Sequence, residues 1–189
     1  VRTTFDGAVT PGAKNFDFNL QQFSITDDRK KAVDFSSPYY TAPQAVVSYK
    51  GSAIDGKTAI ADLASAKLGA AVGTTSLNAI NDVVKPTTQA QVFNDNAAAV
   101  TALKNHQIDG IVVDLPTAFY LSGVEIPGGL IVGQLPSSGE GDQFGLLLAK
   151  DSPITACVTQ AVDAITNDGT LTAITDKWLG SAAGAPVLK

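Results

Sequence analysis

The sequence predicts an α/β protein with two lobes, between which the chain crosses twice. Between about residues 49 and 141, short apolar segments alternate with longer helical patterns, which is typical of an α/β domain with a largely parallel sheet. Two loop-like stretches, KGSAIDGKT at 50–58 and PSSGEGD at 136–142, flank this region. We therefore predict a discontinuous lobe 1 (residues 1–48 and 142–189), a lobe 2 (residues 49–141) and a hinge formed by the two crossings.

The first part of lobe 1 contains three predicted elements. FDFNLQQF begins with alternating apolar and polar residues and ends on Phe23, so we predict a strand over residues 16–24. A helix follows over residues 27–33, with Thr26 as its N-cap. SSPYYTAP at 36–43 predicts an extended segment, because each proline disfavours helical backbone in the residue before it. QAVVSY at 44–49 predicts the next strand.

The elements of lobe 2 are short and regular in their order. We predict strands at 67–72, 90–93 and 109–114, and helices at 58–65, 74–84 and 95–107. In lobe 1, QFGLLLAK at 143–150 predicts a strand. Ser152 begins a helix that ends near Asn167, and a second helix begins at Thr170 and ends at Gly180. The first of these helices has apolar residues at helical spacing, and we interpret them all, including the cysteine, as core: Ile154, Cys157, Ala161, Val162 and Ile165.

Composition excludes several classes of function. The net charge of −5 and the scattered basic residues argue against a nucleic-acid partner. One cysteine and one histidine exclude an intrachain disulfide and a Cys/His zinc cluster. We find no Ser/His/Asp constellation and no G-x-S-x-G, so we predict no catalytic residue, no metal and no cofactor.

Three predicted strand ends carry polar residues that suit one ligand. Arg29 lies in the first turn of its helix, where the helix dipole disfavours a cation, so an anion beside it would resolve the conflict. Thr74 and Thr75 follow Gly73 at a strand-to-helix turn, and Asp114 closes the strand GIVVD. Each has a simpler alternative: Thr75 and Asp114 as helix caps, and Arg29 as a surface residue. Together, a guanidinium and hydroxyls for a carboxylate and an aspartate for an ammonium describe an amino-acid zwitterion site.

Four segments resemble one protein family. SITDDRKKAVDFSSPYY, KLGAAVGTTS, ALKNHQIDGIVVD and AITNDGTLTAITDKWLG resemble the type II periplasmic binding proteins that serve polar amino-acid importers of the ABC type. The resemblance covers nearly the whole chain from Phe16 onward. It implies a bilobed α/β fold, a polar amino acid held between the lobes, and delivery of that ligand to the membrane subunits of an ABC transporter. It also implies a periplasmic or extracellular location, either free or tethered by a lipid anchor.

The resemblance assigns roles to individual residues. By position, Arg29 and Thr75 match the family's ligands of the α-carboxylate, Ser24 matches a serine of the same site, and Asp114 matches the aspartate that binds the α-ammonium. We add three residues to the predicted ligand site: Gln22, just before Ser24; Thr74, beside Thr75 at the same turn; and Gln143, just after the second crossing.

The chain departs from the family pattern at its start. VRTTFDG at residues 1–7 resembles the family's second strand, and the family's first strand and helix have no counterpart before it. We therefore expect an incomplete lobe 1 whose parallel sheet has exposed edges. A homodimer or strand exchange would cover those edges.

Two other classes of function remain as alternatives. Some dehydratases resemble the same fold, and Glu140 is the carboxylate that such an enzyme would use as a general acid. The ligand-binding domain of a sensor or receptor also shares the fold. We predict a binding protein and no enzyme activity.

Overall fold

A computed structural model describes residues 3–137, 141–179 and 184–189. The chain divides into two compact units. Unit 1 comprises Val1–Thr41 and Asp142–Ser181, and unit 2 comprises Ala42–Gly141 and Ala182–Lys189. The predicted lobes differ from these units at two places, because residues 42–48 and the described residues 184–189 belong to unit 2 in the structure.

Helices and strands alternate along the chain. In order they are α1 (Phe5–Val9), β1 (Asn19–Ser24), α2 (Asp27–Ala32), β2 (Val33–Phe35), β3 (Tyr40–Ala42), β4 (Gln44–Tyr49), a 3₁₀ turn (Ile60–Leu63), β5 (Leu68–Ala71), α3 (Thr75–Ala79) continued by a π turn (Ile80–Val84), β6 (Gln91–Phe93), α4 (Asn96–Lys104), β7 (Gly110–Asp114), α5 (Leu115–Tyr120) continued by a π turn (Leu121–Glu125), β8 (Gly129–Gln134), β9 (Asp142–Ala149), α6 (Thr155–Asn167) and α7 (Thr170–Leu179).

Unit 1 is built around strand β9. This strand pairs antiparallel with β1 and with β2, and β3 also pairs with it. Phe23, Val33 and Leu147 from these strands are fully buried and pack with Ala8 of α1. The expected parallel sheet is therefore wrong for β1, β2 and β9, because the long return of the chain brings β9 back against both earlier strands in the opposite direction.

Unit 2 has a five-stranded sheet with the order β6-β5-β7-β4-β8. Strands β6, β5 and β7 are parallel, and β4 pairs antiparallel with both β7 and β8. The prediction of a largely parallel sheet therefore holds for one half of it. Apolar side chains cover both faces of the sheet, with α4 and α5 on one face and the 3₁₀ turn and α3 region on the other.

Two local predictions are wrong. VRTTFDG does not form a strand over its described residues: Phe5–Val9 is a helix, because the Thr4 hydroxyl caps it by accepting from the Gly7 amide at 3.1 Å. Cys157 is exposed rather than part of the core. Of the apolar set predicted to be core on α6, only Val162 is buried, because helical periodicity identifies a face without specifying what covers it.

Among the helices that the structure describes, none is long and apolar enough to cross a membrane.

Candidate functional site

In unit 1, Arg29 is buried by its own neighbours. Thr26 caps α2, since its hydroxyl accepts from the Arg29 amide at 3.2 Å. The Arg29 side chain is folded back: Nη1 donates to the Ser24 carbonyl at 2.7 Å, and the guanidinium carbon lies 5.2 Å from the centre of the Phe5 ring. The residue is only 9% exposed. The alternative of a surface arginine is therefore wrong.

The other charges of α2 are arranged in exposed pairs. Asp27 and Asp28 accept from Lys30 and Lys31 at 3.4 and 2.7 Å. The hydrogen bond from Lys31, together with its charge, holds the pKa of Asp28 below its usual value. The two lysines of α2 are therefore paired with carboxylates on the same helix, and the contacts of the Arg29 guanidinium include a backbone carbonyl and an aromatic ring. Such a group is suited to grip a carboxylate.

Ser24 belongs to the same part of unit 1, and Gln22 and Gln143 lie close to it in the sheet. Gln22 is two residues earlier on β1, and the Gln143 carbonyl on β9 accepts from the Ile25 amide at 2.7 Å. Ser24 is 3% exposed, and its carbonyl accepts from Nη1 of Arg29. Gln22 is exposed and has φ +56° at an irregularity in the β1–β9 register. This left-handed backbone turns Gln22 out of the regular strand alternation.

Gln143 lines a separate cleft of unit 1. The cleft has a volume of about 490 Å³, and neither Ser24 nor Arg29 lies in its wall. Lys150 donates there to Asp34 at 3.0 Å, and Asp34 also accepts from the Thr155 hydroxyl at 3.2 Å. The remaining residues of its wall are Ile25, Lys30, Val33, Phe35, Ser36 and Pro38. Gln143 is thus placed beside a structural ion pair.

In unit 2, Thr74 and Thr75 have different roles. Gly73 has φ +71°, which makes the tight turn after β5. The Thr74 hydroxyl accepts from the Leu77 amide at 3.2 Å and donates to the Ala71 carbonyl at 2.7 Å. Thr74 is therefore the N-cap of α3, and Thr75 is the first helical residue. The alternative of Thr75 as a cap is wrong.

Asp114 also does not cap the helix that follows it. It occupies the N-cap position of α5, but its side chain makes no capping hydrogen bond. Instead, its Oδ1 accepts from Nε2 of Gln44 at 2.7 Å, and the same nitrogen lies 3.3 Å from the Thr75 hydroxyl oxygen. All three residues are half-buried. One amide thus brings together the two predicted site residues of this unit.

Gln44 is not among the site residues predicted from the sequence. It is the first residue of β4, immediately after Pro43, and it lies directly opposite Asp114 in the antiparallel pairing of β4 with β7. The only sequence signal is a polar residue at the start of an otherwise apolar strand.

The structure thus brings Ser24 and Arg29 together in unit 1, and Thr75 and Asp114 together in unit 2. It gives Thr74 a capping role. Within the described residues, no group of three or more histidine, cysteine, aspartate or glutamate side chains could hold a metal ion. Glu140 lies outside the described residues.

The chain was compared with known families and proteins. Residues 1–181 match the family of bacterial extracellular solute-binding proteins, family 3. A protein of Campylobacter jejuni named "Probable histidine-binding protein" is 32% identical over 173 residues, which are 89% of this chain and 64% of that protein. The chain therefore spans less than two thirds of the length of this relative.

Solved structures resemble the chain over most of its length. An ancestral arginine-binding protein bound to glutamine has a TM-score of 0.70 and 32% identity, covering 84% of this chain and 69% of that one. An ancestral amino acid-binding protein, a precursor of cyclohexadienyl dehydratase, has a TM-score of 0.74 and 30% identity, covering 94% and 75%. These neighbours confirm the predicted fold class, the two-lobed α/β fold of the type II periplasmic binding proteins.

Proposed function

Because the chain belongs to the bacterial extracellular solute-binding proteins of family 3, we propose that it binds a polar amino acid and delivers it to an ABC transporter. The ligand class is supported by a relative named for histidine and by structural neighbours named for arginine and for amino acids. The membrane subunits of the transporter are the second partner in this proposal. The protein acts outside the cytoplasmic membrane, free or held by a lipid anchor, and cell fractionation distinguishes these two forms.

One observation carries the proposal. The Asp114 side chain makes no capping hydrogen bond to α5, and the amide of Gln44 contacts both its carboxylate and the Thr75 hydroxyl. A carboxylate accepts hydrogen bonds from an ammonium, and a hydroxyl donates one to a carboxylate. The two chemical groups that every free amino acid carries are thus matched by two side chains of one cluster.

Residues of unit 1 complete the proposed set. Arg29 binds the α-carboxylate, which accepts charge-assisted hydrogen bonds from the guanidinium. Ser24 supports it, because the Ser24 carbonyl fixes one nitrogen of the guanidinium at 2.7 Å. Gln22, Gln143 and Thr74 are the other three residues of the proposed set. Gln22 is exposed on a bulge, Gln143 lines the cleft described above, and Thr74 caps α3.

A thermal-shift screen against the free L-amino acids tests the proposal. A ligand present at about 100 times its dissociation constant stabilises the native state by about 2.7 kcal/mol, which is a readable shift. A shift with L-arginine, L-histidine or L-glutamine, confirmed by calorimetric titration, is the expected result. The absence of a shift with every amino acid would contradict the proposal.

A pair of matched variants shows whether binding uses the proposed site. Asp114→Asn removes the charge that the ammonium needs and should weaken binding. Asp95→Asn makes the same change in the same unit at the N-cap of α4, where the Asp95 carboxylate accepts from the Ala98 amide at 2.8 Å. Asparagine also caps well, so this control should keep both stability and affinity.

We further propose that the protein binds its ligand without converting it. Membership of a solute-binding family supports this view, while the neighbour described as a precursor of cyclohexadienyl dehydratase makes the test worthwhile. Incubation with prephenate or arogenate should leave both compounds unchanged. Formation of the dehydrated product would establish the dehydratase alternative.

Finally, we propose that β1 mediates self-association. Among the described strands β1 pairs with β9 alone, and Phe18 and Leu20 at this edge are 48% and 63% exposed. Antiparallel pairing of two copies of one strand satisfies a two-fold axis and covers both edges. Light scattering should detect a dimer that Leu20→Lys disrupts, and a strictly monomeric wild-type protein would refute this proposal.

A further inference from the structure

We propose that Gln44 is a positioning residue of the amino-acid site, whose single side-chain amide orients both Thr75 and Asp114 and thereby sets the preference for ligands with an α-ammonium. This inference rests on the proposed function and adds to it a residue and a source of selectivity.

The backbone around Gln44 is held on both sides. Gln44 lies opposite Asp114 in the register of β4 and β7. Its carbonyl accepts from the Leu135 amide at 2.8 Å, and the carbonyl of Pro43 accepts from the Leu115 amide at 2.9 Å. The backbone is therefore held by hydrogen bonds at Pro43 and at Gln44, and by the pairing with Asp114. These contacts give the Gln44 side chain a well-defined position in the sheet.

The chemistry of the partners fixes the orientation of the amide. An ionised carboxylate only accepts hydrogen bonds, so Asp114 requires the nitrogen of Gln44 rather than its oxygen. The Nε2–Oδ1 distance of 2.7 Å is that of a charge-assisted bond, and the 3.3 Å contact with the Thr75 hydroxyl is the weaker of the two. The stronger bond therefore sets the amide, and the amide then positions Thr75.

This arrangement determines what Thr75 offers to a ligand. A hydroxyl has one proton and two lone pairs. Because the Thr75 oxygen accepts from Gln44, the Thr75 proton points away from the Gln44 amide. Asp114, in contrast, presents only acceptors. Gln44 thus holds the Thr75 hydroxyl and the Asp114 carboxylate close together. In the proposed site the hydroxyl faces the ligand carboxylate, and the Asp114 carboxylate faces the ligand ammonium.

Selectivity for the α-ammonium follows from this geometry. A ligand with the carboxylate but without the α-nitrogen would leave Asp114 desolvated and unmatched, which costs binding free energy. The discrimination depends on Asp114 being held at the right place, so it should shrink when the Gln44 amide is removed.

The test compares Gln44→Met with the wild type, using ligand pairs that differ only in the α-nitrogen. The pairs are L-arginine and 5-guanidinopentanoate, L-histidine and 3-(imidazol-4-yl)propanoate, and L-glutamine and 4-carbamoylbutanoate. Methionine keeps the unbranched shape and removes both donors. Gln134→Met is the matched control, because Gln134 lies next to β4 on β8 and its amide donates to the Ala185 carbonyl.

We expect Gln44→Met to change the ratio of the affinities for the amino acid and its deaminated partner, and not only the affinity for the amino acid. Loss of one hydrogen bond to a charged group typically weakens binding by about tenfold or more. In Gln44→Met the amino acid should lose about that factor and its deaminated partner should lose much less, so that their affinity ratio falls. Gln134→Met should keep the wild-type ratio. Equal weakening of both ligands, or no weakening of either, would overturn the inference.

A measurement without ligand separates this inference from the proposed function. The side-chain amide resonances of Gln44 can be assigned by their disappearance in Gln44→Met. They should shift strongly in Asp114→Ala and less in Thr75→Val, because the shorter bond is to Asp114. If they stay in place in Asp114→Ala, the positioning role is refuted. If they shift but the wild-type protein binds no amino acid, it is the proposed function that fails.

Discussion

Replacing Arg29 by methionine should abolish recognition of the ligand carboxylate while leaving the fold intact. In the proposed site the guanidinium makes two hydrogen bonds to a carboxylate, each contributing about 1.5–3 kcal/mol. Their loss amounts to about 3–6 kcal/mol, which is a fall in affinity of at least about 100-fold. Calorimetric titration with L-arginine, L-histidine and L-glutamine measures this change.

The cost of the same substitution to stability should be small. Arg29→Met loses the bond to the Ser24 carbonyl and the contact with the Phe5 ring, about 2 kcal/mol or more in favourable interactions. It also removes the desolvation cost of a cation that is only 9% exposed. Because methionine fills most of the vacated space, these terms oppose each other, and urea denaturation should show a fold that remains stable.

Two comparisons separate a specific effect from a general one. Lys30→Met removes an exposed cation from the same helix and should not change affinity. Amino-acid amides, such as L-argininamide, lack the carboxylate charge. The wild type should bind L-arginine much more tightly than L-argininamide, and Arg29→Met should no longer distinguish them. Unchanged affinity for the amino acid in Arg29→Met would refute the assignment of Arg29.

Three further predictions concern stability. Thr74→Ala removes the cap of α3 and should lower the free energy of unfolding by about 1 kcal/mol, measured in urea. Gly133→Ala places a Cβ 2.7 Å from the Leu188 side chain, so it should destabilise unit 2 by about 1–3 kcal/mol in the same assay. An unchanged unfolding midpoint would show that Leu188 does not pack against Gly133. The Asp168 carboxylate accepts from the Thr170 hydroxyl and also from the Thr170 amide, and these bonds lower the pKa of Asp168. Its stabilising effect is therefore present above the unfolded-state pKa and is lost as the pH falls through the folded-state pKa. Thermal unfolding of Asp168→Ala should therefore differ from the wild type at pH 7 and converge with it in acid.

Local signals in the sequence were sufficient for several features of the site. Thr26 was predicted as the N-cap of α2 and forms that cap in the structure. The end of β7 at Asp114 was also predicted correctly. These predictions depend on the identity and spacing of residues within one or two turns. VRTTFDG shows where such local interpretation fails. It resembles a strand, but the Thr4 hydroxyl caps a helix by accepting from the amide of Gly7, three residues later.

Gln44 could not be found in this way, for a physical reason. Gln44 and Asp114 are separated by 70 positions in the chain, and they meet because β4 runs antiparallel to β7 in one particular register. A shift of that register by one residue would place Gln44 on the opposite face of the sheet from Asp114. The sequence specifies the register only through the packing of the apolar strand residues Ala45, Val46 and Val47 on both faces of the sheet. The polar contact is therefore a consequence of hydrophobic packing, and disrupting the packing of β4 should disturb the contact between Gln44 and Asp114.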